Sequence, residues 1–302
     1  MKRLQLIIIY CFIGSVVFAQ QEPHFSQYNY NKILYNPAAA GESDNHEIRL
    51  VNRFQWVNFP EAPKTYGLTY SGGIKRIGLG ASLVYDLVGP TLQYGGKLAF
   101  SYYLFRTEDL KLSIGLEGRI MHFQVDVDRI DFAVDNDPAI FEARDGTTSG
   151  DASAGVFLDW KNLYVGYSAL NLIQADLDVG TSPEIRDPIA QLYRHHYLIA
   201  GYHWKGKHVG VEPSLMVKTT ENTDPQIQGG VNFHFLDDQL SAGFSYRNPG
   251  FLSFLLKVTF DKQFPILFSF DIATGKFQDY VGSSNEISLG ANFLRKEFKV
   301  KE

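Results

Sequence analysis

The chain has 302 residues, with 28 basic and 33 acidic side chains and a net charge of −5. No basic excess is available to neutralise phosphates, which argues against nucleic acid as a partner. The one cysteine, Cys11, lies in the first dozen residues, so the rest of the chain has neither disulfides, thiol catalysis nor thiolate zinc ligands. Aromatic residues make up 14% of a chain of low overall hydropathy, with 27 glycines. Alternating strands with one oily face have such a composition.

The first predicted element is a secretory leader, residues 1–19. Lys2 and Arg3 precede an apolar run from Leu4 to Phe18, and Ala19 offers a small residue for cleavage. The run is short for a spanning helix, which needs about 20 apolar residues. Its removal would leave 26 basic groups against 33 acidic ones. Residues 20–45 come next and lack strand alternation. Asn36-Pro37 starts a turn, and an alanine run ends at Gly41. This segment is expected at the periplasmic mouth or in the lumen, closing it from the periplasmic side, because Phe25, Tyr28, Tyr30 and Tyr35 must be buried somewhere.

From residue 46 to 294 the chain reads as fourteen period-two segments: 46–57, 64–73, 75–87, 92–105, 109–124, 151–160, 162–170, 194–204, 207–218, 226–235, 239–247, 252–260, 264–273 and 284–293. In the ninth, Val209, Val211, Pro213, Leu215 and Val217 fall on one face. His208, Gly210, Glu212, Ser214 and Lys218 fall on the other, with Met216 as the exception. Most segments reach the roughly 9–11 residues that cross a bilayer as tilted strands. Every second connection is short, and the others are mostly longer, notably 125–150, 171–193 and 274–283. Outer-membrane barrels show this rhythm, with short periplasmic turns and long extracellular loops. The fold class is therefore all-β: a closed antiparallel transmembrane β-barrel of about 14 strands in the outer membrane. Oily faces meet lipid, and Lys97, Lys111, Glu117, Arg119, Glu212, Lys218, Arg247, Lys257, Asp271 and Glu286 point inward. Gly78, Gly80, Gly95 and Gly115 fall on the inner face, as a crowded wall requires. Trp56, Tyr85, Phe105, Trp160 and Trp204 are candidates for interfacial girdles. Residues 295–302 form a polar C-terminal tail.

Catalytic motifs are absent: the sequence has no G-x-S-x-G, phosphate-binding loop or H-E-x-x-H. No catalytic residue, metal ligand set or cofactor is assigned. His195, His196, His203 and His208 lack ligand spacing and read as lumen or interface histidines. Asp126, Asp128, Asp131, Asp135, Asp137, Glu142 and Asp145 cluster in one loop, without the glycine and terminal glutamate of a calcium-binding EF-hand.

The opening Glu22-Pro23-His24-Phe25-Ser26-Gln27-Tyr28, followed by Tyr35-Asn36-Pro37-Ala38-Ala39-Ala40-Gly41, strongly resembles the start of the PorP/SprF family. The resemblance continues in Arg53-Phe54-Gln55-Trp56, Ala62-Pro63-Lys64-Thr65, Gly78-Leu79-Gly80, Asp86, Gly89-Pro90 and Asn171-Leu172. It runs on through Glu212 to Lys218, Phe270-Asp271-Ile272 and Asn285 to Leu289. The polar tail after Phe293 departs from the terminal aromatic of many such barrels. The resemblance implies an outer-membrane component of type IX secretion and gliding machinery in Bacteroidota. Its implied partners are other components of that system and large surface adhesins, exported or anchored through their C-terminal sorting domains. A channel or small-molecule transporter is the alternative, and a barrel hydrolase a minor one. The family-motif positions are Pro23, Phe25, Ser26, Gln27, Asn36, Pro37 and Gly41. Candidate partner-binding positions on the long loops are Asp131, Asp135, Asp137, Phe141, Arg144, Asp176 and Arg186.

Overall fold

The computed structural model describes residues 22–126, 129, 146–177, 190–221, 223–275, 278 and 281–294. The expected leader and the C-terminal tail lie outside the described residues. After three short 3-10 turns (Tyr28–Tyr30, Lys32–Leu34, Pro37–Ala39), the strands are β1 (Asn45–Phe54), β2 (Lys64–Ile74), β3 (Ile77–Val88), β4 (Thr91–Arg106), β5 (Leu110–Val125), β6 (Thr147–Trp160) and β7 (Leu163–Leu170). They continue with β8 (Asp176–Leu177), β9 (Ala190–Gln191), β10 (His195–Tyr202), β11 (Trp204–Lys205), β12 (Val209–Thr220), β13 (Gln226–Phe235), β14 (Leu240–Arg247), β15 (Phe251–Phe260), β16 (Phe264–Ala273) and β17 (Ser284–Leu294).

Each long strand pairs with its sequence neighbours, all antiparallel. Two pairings complete the ring: β1 with β17, and β10 with β12. β8 and β9 form a separate two-residue hairpin, and β11 continues β10 beyond a break at His203. Setting these three short pieces aside leaves a closed ring of fourteen strands, so every backbone edge is paired as the hydrocarbon core demands. The expected spans hold within a few residues, except at β6. That strand begins four residues early because Thr147–Gly150 pair with Phe123–Ile120. This polar stretch carries no hydrophobic alternation to announce it.

Side-chain direction follows the expected faces. Leu50, Leu68, Leu83, Leu98, Leu116, Ile120, Phe244 and Phe268 are exposed on the outer wall. Arg53, Thr69, Ser101, Ser113, Glu117, Arg119, Ser168, Asp271 and Glu286 are buried on the inner one. Aromatic side chains collect at both rims, as interfacial anchors do. Phe105, Trp160, Trp204 and Phe264 are exposed beside the short turns, whereas Phe54, Tyr66 and Tyr85 form an exposed edge-to-face chain at the other end. Trp56, one of the expected girdle residues, lies past β1 in the connection to β2 and is half-buried.

Not all connections at the long-loop end are long. β3–β4 turns on Gly89-Pro90, and β14–β15 turns on Asn248, Pro249 and Gly250. The base of the loop after β7 bends inward at that end. Asp151 accepts hydrogen bonds from the backbone N–H groups of Ile173 and Ala175, at 2.9 and 3.3 Å. Leu177 and Leu192 then pack on Met121 and Phe123.

Candidate functional site in the barrel lumen

The luminal segment contains the family-motif residues, and its path differs from a cork at the periplasmic mouth. Glu22 lies in the half nearer the long loops, paired with Arg119 and 3.6 Å from Lys97. The chain then descends to the short turns, where Asp44 meets Arg106 and Lys111 at 3.4 and 3.3 Å before β1 begins. The segment therefore threads most of the lumen, and it does so because polar partners are available at every level of the wall.

Ser26 and Gln27 dock at the upper level. Arg53 of β1 holds Asp271 of β16 at 2.6 Å and Glu286 of β17 at 2.9 Å, with all three side chains essentially inaccessible. Ser26 Oγ donates to Asp271 at 2.7 Å, and its backbone N–H donates to Glu286 at 2.8 Å. Gln27 Nε2 donates to the Glu286 carbonyl at 3.1 Å, while its Oε1 accepts from Ser288 Oγ at 2.5 Å. Each carboxylate thus has a cation and hydrogen-bond donors, the condition under which buried charge is tolerated. Phe25 is buried, and its N–H donates to Tyr35 Oη at 2.8 Å. Pro23 is half-buried at the head of this stretch.

Asn36, Pro37 and Gly41 set the lower level. Asn36 Oδ1 caps the following turn by accepting from Ala38 N–H at 2.9 Å, and Pro37 occupies the first turn position. Asn36 Nδ2 donates to the carbonyls of Val156 and Tyr167, which face each other on β6 and β7, at 3.0 and 3.3 Å. Ser113 Oγ donates to the Ala38 carbonyl at 2.7 Å, Ser101 Oγ to the Ala40 carbonyl at 2.7 Å, and Ser168 Oγ to the Tyr35 carbonyl at 2.6 Å. Gly41 adopts φ +68°, and its N–H donates to Ser71 Oγ at 3.0 Å.

The inner glycines have the same cause. A Cβ on Gly115 would overlap Ala38 N, one on Gly78 would overlap the Ala40 carbonyl, and one on Gly80 would stand 2.7 Å from Ile33. Gly95 is different: its Cβ would strike Ile120 and Met121 of the neighbouring strand. Met216, the one apolar exception on its inner face, packs with Phe25, Tyr28, Leu34, Tyr35, Tyr197 and Ile199 in the main buried cluster.

Electrostatics reinforce both ends of the segment. Burial opposes ionisation of Glu22, but Arg119, Lys97 and His195 together outweigh it and hold its carboxyl below the ordinary carboxylate range. Burial likewise opposes the charge on Lys32, yet Glu42 at 2.6 Å raises its ammonium above the ordinary lysine value. His24, facing Gln228 at 2.8 Å, is held neutral by burial and by Arg247, Arg53 and Lys218.

Two cavities between segment and wall measure only about 10 and 20 Å³, close to the minimum that holds one water. Below the segment, at the short-turn end, lies a polar vestibule of about 540 Å³ bounded by Lys32, Glu42, Lys111, Tyr164, His203 and Glu212. The expected histidine row divides between faces. His195 points inward and is buried, whereas His196 stacks on Tyr167 and donates to or accepts from its hydroxyl at 2.8 Å. His203 instead meets two residues that sequence spacing does not connect with it, Glu212 on β12 and His234 on β13.

Of the candidate loop residues, Asp176 is exposed in β8, paired with Gln191. Asp131, Asp135, Asp137, Phe141, Arg144 and Arg186 lie outside the described residues, as does all of the acidic run but Asp126.

The model of the family described as type IX secretion system membrane protein PorP/SprF matches residues 17–291. The chain belongs to this family. It is thus an outer-membrane barrel of a type IX secretion family. No curated protein sequence matches it. Among solved structures it is similar to the P. putida toluene transporter TodX, at 11% identity and TM-score 0.54, over 87% of this chain and 93% of that one. A TodX deltaS2S3 mutant, described as a monoaromatic hydrocarbon channel, gives 9% identity and TM-score 0.52 over 87% and 94%. The CymD monoaromatic hydrocarbon channel gives 11% and 0.51 over 88% and 92%. At such identities the likeness concerns the fold alone.

Proposed function

We propose that this family member is a plugged docking barrel. It helps export or anchor a large surface adhesin through the adhesin's C-terminal sorting domain, and it does not conduct solutes. The short turns and vestibule face the periplasm and the long loops face outward, in keeping with the general build of outer-membrane barrels. The observation that carries this reading is the luminal segment. It is anchored at Arg53, Asp271 and Glu286, at Asn36, and at Glu22 with Arg119, and two cavities between it and the wall are water-sized. A barrel so filled acts through its surfaces.

The long loops 126–146 and 171–193 are the proposed contact surface, since loops of this length in a compact protein usually carry function. They flank β6 and β7, and the second is braced at its base by Asp151 and the β8–β9 hairpin. Affinity purification from native membranes tests the reading. Recovery of an adhesin C-terminal region with other secretion components supports it, and their absence at stoichiometric yield of the barrel contradicts it. Deleting residues 130–146 should leave a folded barrel and weaken adhesin display. Normal display would remove that loop from the contact surface.

A further inference from the structure

We propose that His203, Glu212 and His234 form a binding site for one divalent transition-metal ion, of which zinc fits the donors best, in the wall of the short-turn vestibule. The register of three strands brings them together. His203 occupies the break between β10 and β11, and the pairings Gly201 with Ser214 and Trp204 with Val211 set it opposite Glu212. Gly210, two residues before Glu212, pairs with His234 on β13 and leaves the space beside that ring open. All three side chains face the vestibule.

The spacing is that of a coordination sphere. Glu212 Oε2 lies 3.1 Å from His234 Nε2 and 3.7 Å from His203 Nδ1. Donors around a tetrahedral zinc, bound at about 2.0–2.1 Å, stand about 3.3 Å apart. The three donor atoms all fall within 4.8 Å of one another, a spread that a small rotation of the partly exposed His203 ring closes. Two imidazoles and one carboxylate suit a borderline ion, and three protein ligands leave a position for water from the cavity.

The surrounding groups orient the donors as outer-shell partners do. Tyr164 Oη donates to Glu212 Oε1 at 2.8 Å, which leaves Oε2 for the ion. His234 Nδ1 stands 3.0 Å from Ser241 Oγ and 3.5 Å from Asp238 Oδ1. An ion on Nε2 would replace the present hydrogen bond between Nε2 and Glu212 Oε2 and leave the ring proton on Nδ1, where Ser241 and Asp238 accept it. Two of the cations lining the vestibule have partners of their own: Lys32 is bound to Glu42 at 2.6 Å, and Lys257 lies over the Tyr30 ring at 5.0 Å.

The test uses the full barrel purified in detergent with a histidine-free tag, stripped with chelator and titrated with zinc by calorimetry and with cobalt by visible absorption. The expected result is one ion per chain, with the visible bands of low-coordinate cobalt. His203→Asn, Glu212→Gln and His234→Asn should each weaken zinc binding at least tenfold, and His196→Asn, on the outer face, should not. His203→Asn alters a strand break and is the variant least exposed to misfolding, while the wild-type cobalt spectrum depends on no variant. The proposal is overturned if the wild type takes up no stoichiometric ion, or if the three variants bind zinc as tightly as it does.

Discussion

The Ser26 hydroxyl donates to the carboxylate of Asp271 at 2.7 Å, across 245 residues of sequence, and Arg53 clamps the same carboxylate at 2.6 Å. One guanidinium thereby ties the luminal segment to β1, β16 and β17, across the β1–β17 pairing that closes the ring. Arg53→Met should strand Asp271 and Glu286 without a cation in a site closed to water. Breaking a buried pair in this way costs about 3–5 kcal/mol. Urea unfolding in detergent, followed by tryptophan fluorescence, should show that loss. Asp271→Asn with Glu286→Gln in the Arg53→Met background should recover part of it.

Gly115 and Gly118 stand three residues apart on β5 with opposite surroundings. A side chain at Gly115 meets Ala38 and Pro37, whereas one at Gly118 meets nothing within 4 Å. Gly115→Val should therefore dislodge the luminal segment, and Gly118→Val should not. Cys11 is the only native cysteine, so Ala38→Cys gives a clean reporter. Thiol labelling of that position should rise sharply with Gly115→Val and stay at the background level with Gly118→Val.

Arginine on the outer wall should be punished according to depth. Leu215, exposed near the middle of β12, should lose about 2–4 kcal/mol on Leu215→Arg, and Val211, close to the short-turn rim, about 0–1 kcal/mol. Ser214, on the inner face, hydrogen-bonds Tyr28 and Asn29 of the luminal segment at 3.0 and 2.7 Å. An arginine there displaces packed groups and should not be mild. Denaturant titration of the three variants in detergent checks the order.

Glu22 supplies a pH dependence. Arg119, Lys97 and His195 depress its carboxyl below the ordinary value of 4.5. A depressed acid stabilises the folded state fully above that ordinary value, and the contribution fades as pH falls toward the folded-state value. The stability gap between wild type and Glu22→Gln should therefore be flat from neutrality to about pH 5 and narrow below it. A gap that already narrows between pH 7 and 5 would contradict this assignment.

The barrel was legible because lipid and lumen make opposite demands on alternate residues, and β13 and β16 carry that pattern cleanly enough to fix their ends. Met216 broke the pattern for a reason that lay elsewhere in the chain, in the aromatic groups of the luminal segment. Those aromatics signalled burial, but the height of the segment in the lumen depends on Arg119, Arg53 and Asp271, partners scattered from β1 to β16 with Arg53 and Asp271 218 residues apart. The early start of β6 was hidden because Thr147–Gly150 are polar and small. The histidines were the hardest case. His195 and His203 share a face, yet eight residues of strand hold them about 26 Å apart. The true neighbours of His203 come from β12 and β13, and only strand register reveals them.

Conductance in a planar lipid bilayer tests the central claim most directly. With the luminal segment in place, the purified wild-type barrel should give no steady open current, and a variant lacking residues 22–41 should open a large ohmic one. A steady, large current through the wild-type protein would contradict the account and restore the channel reading.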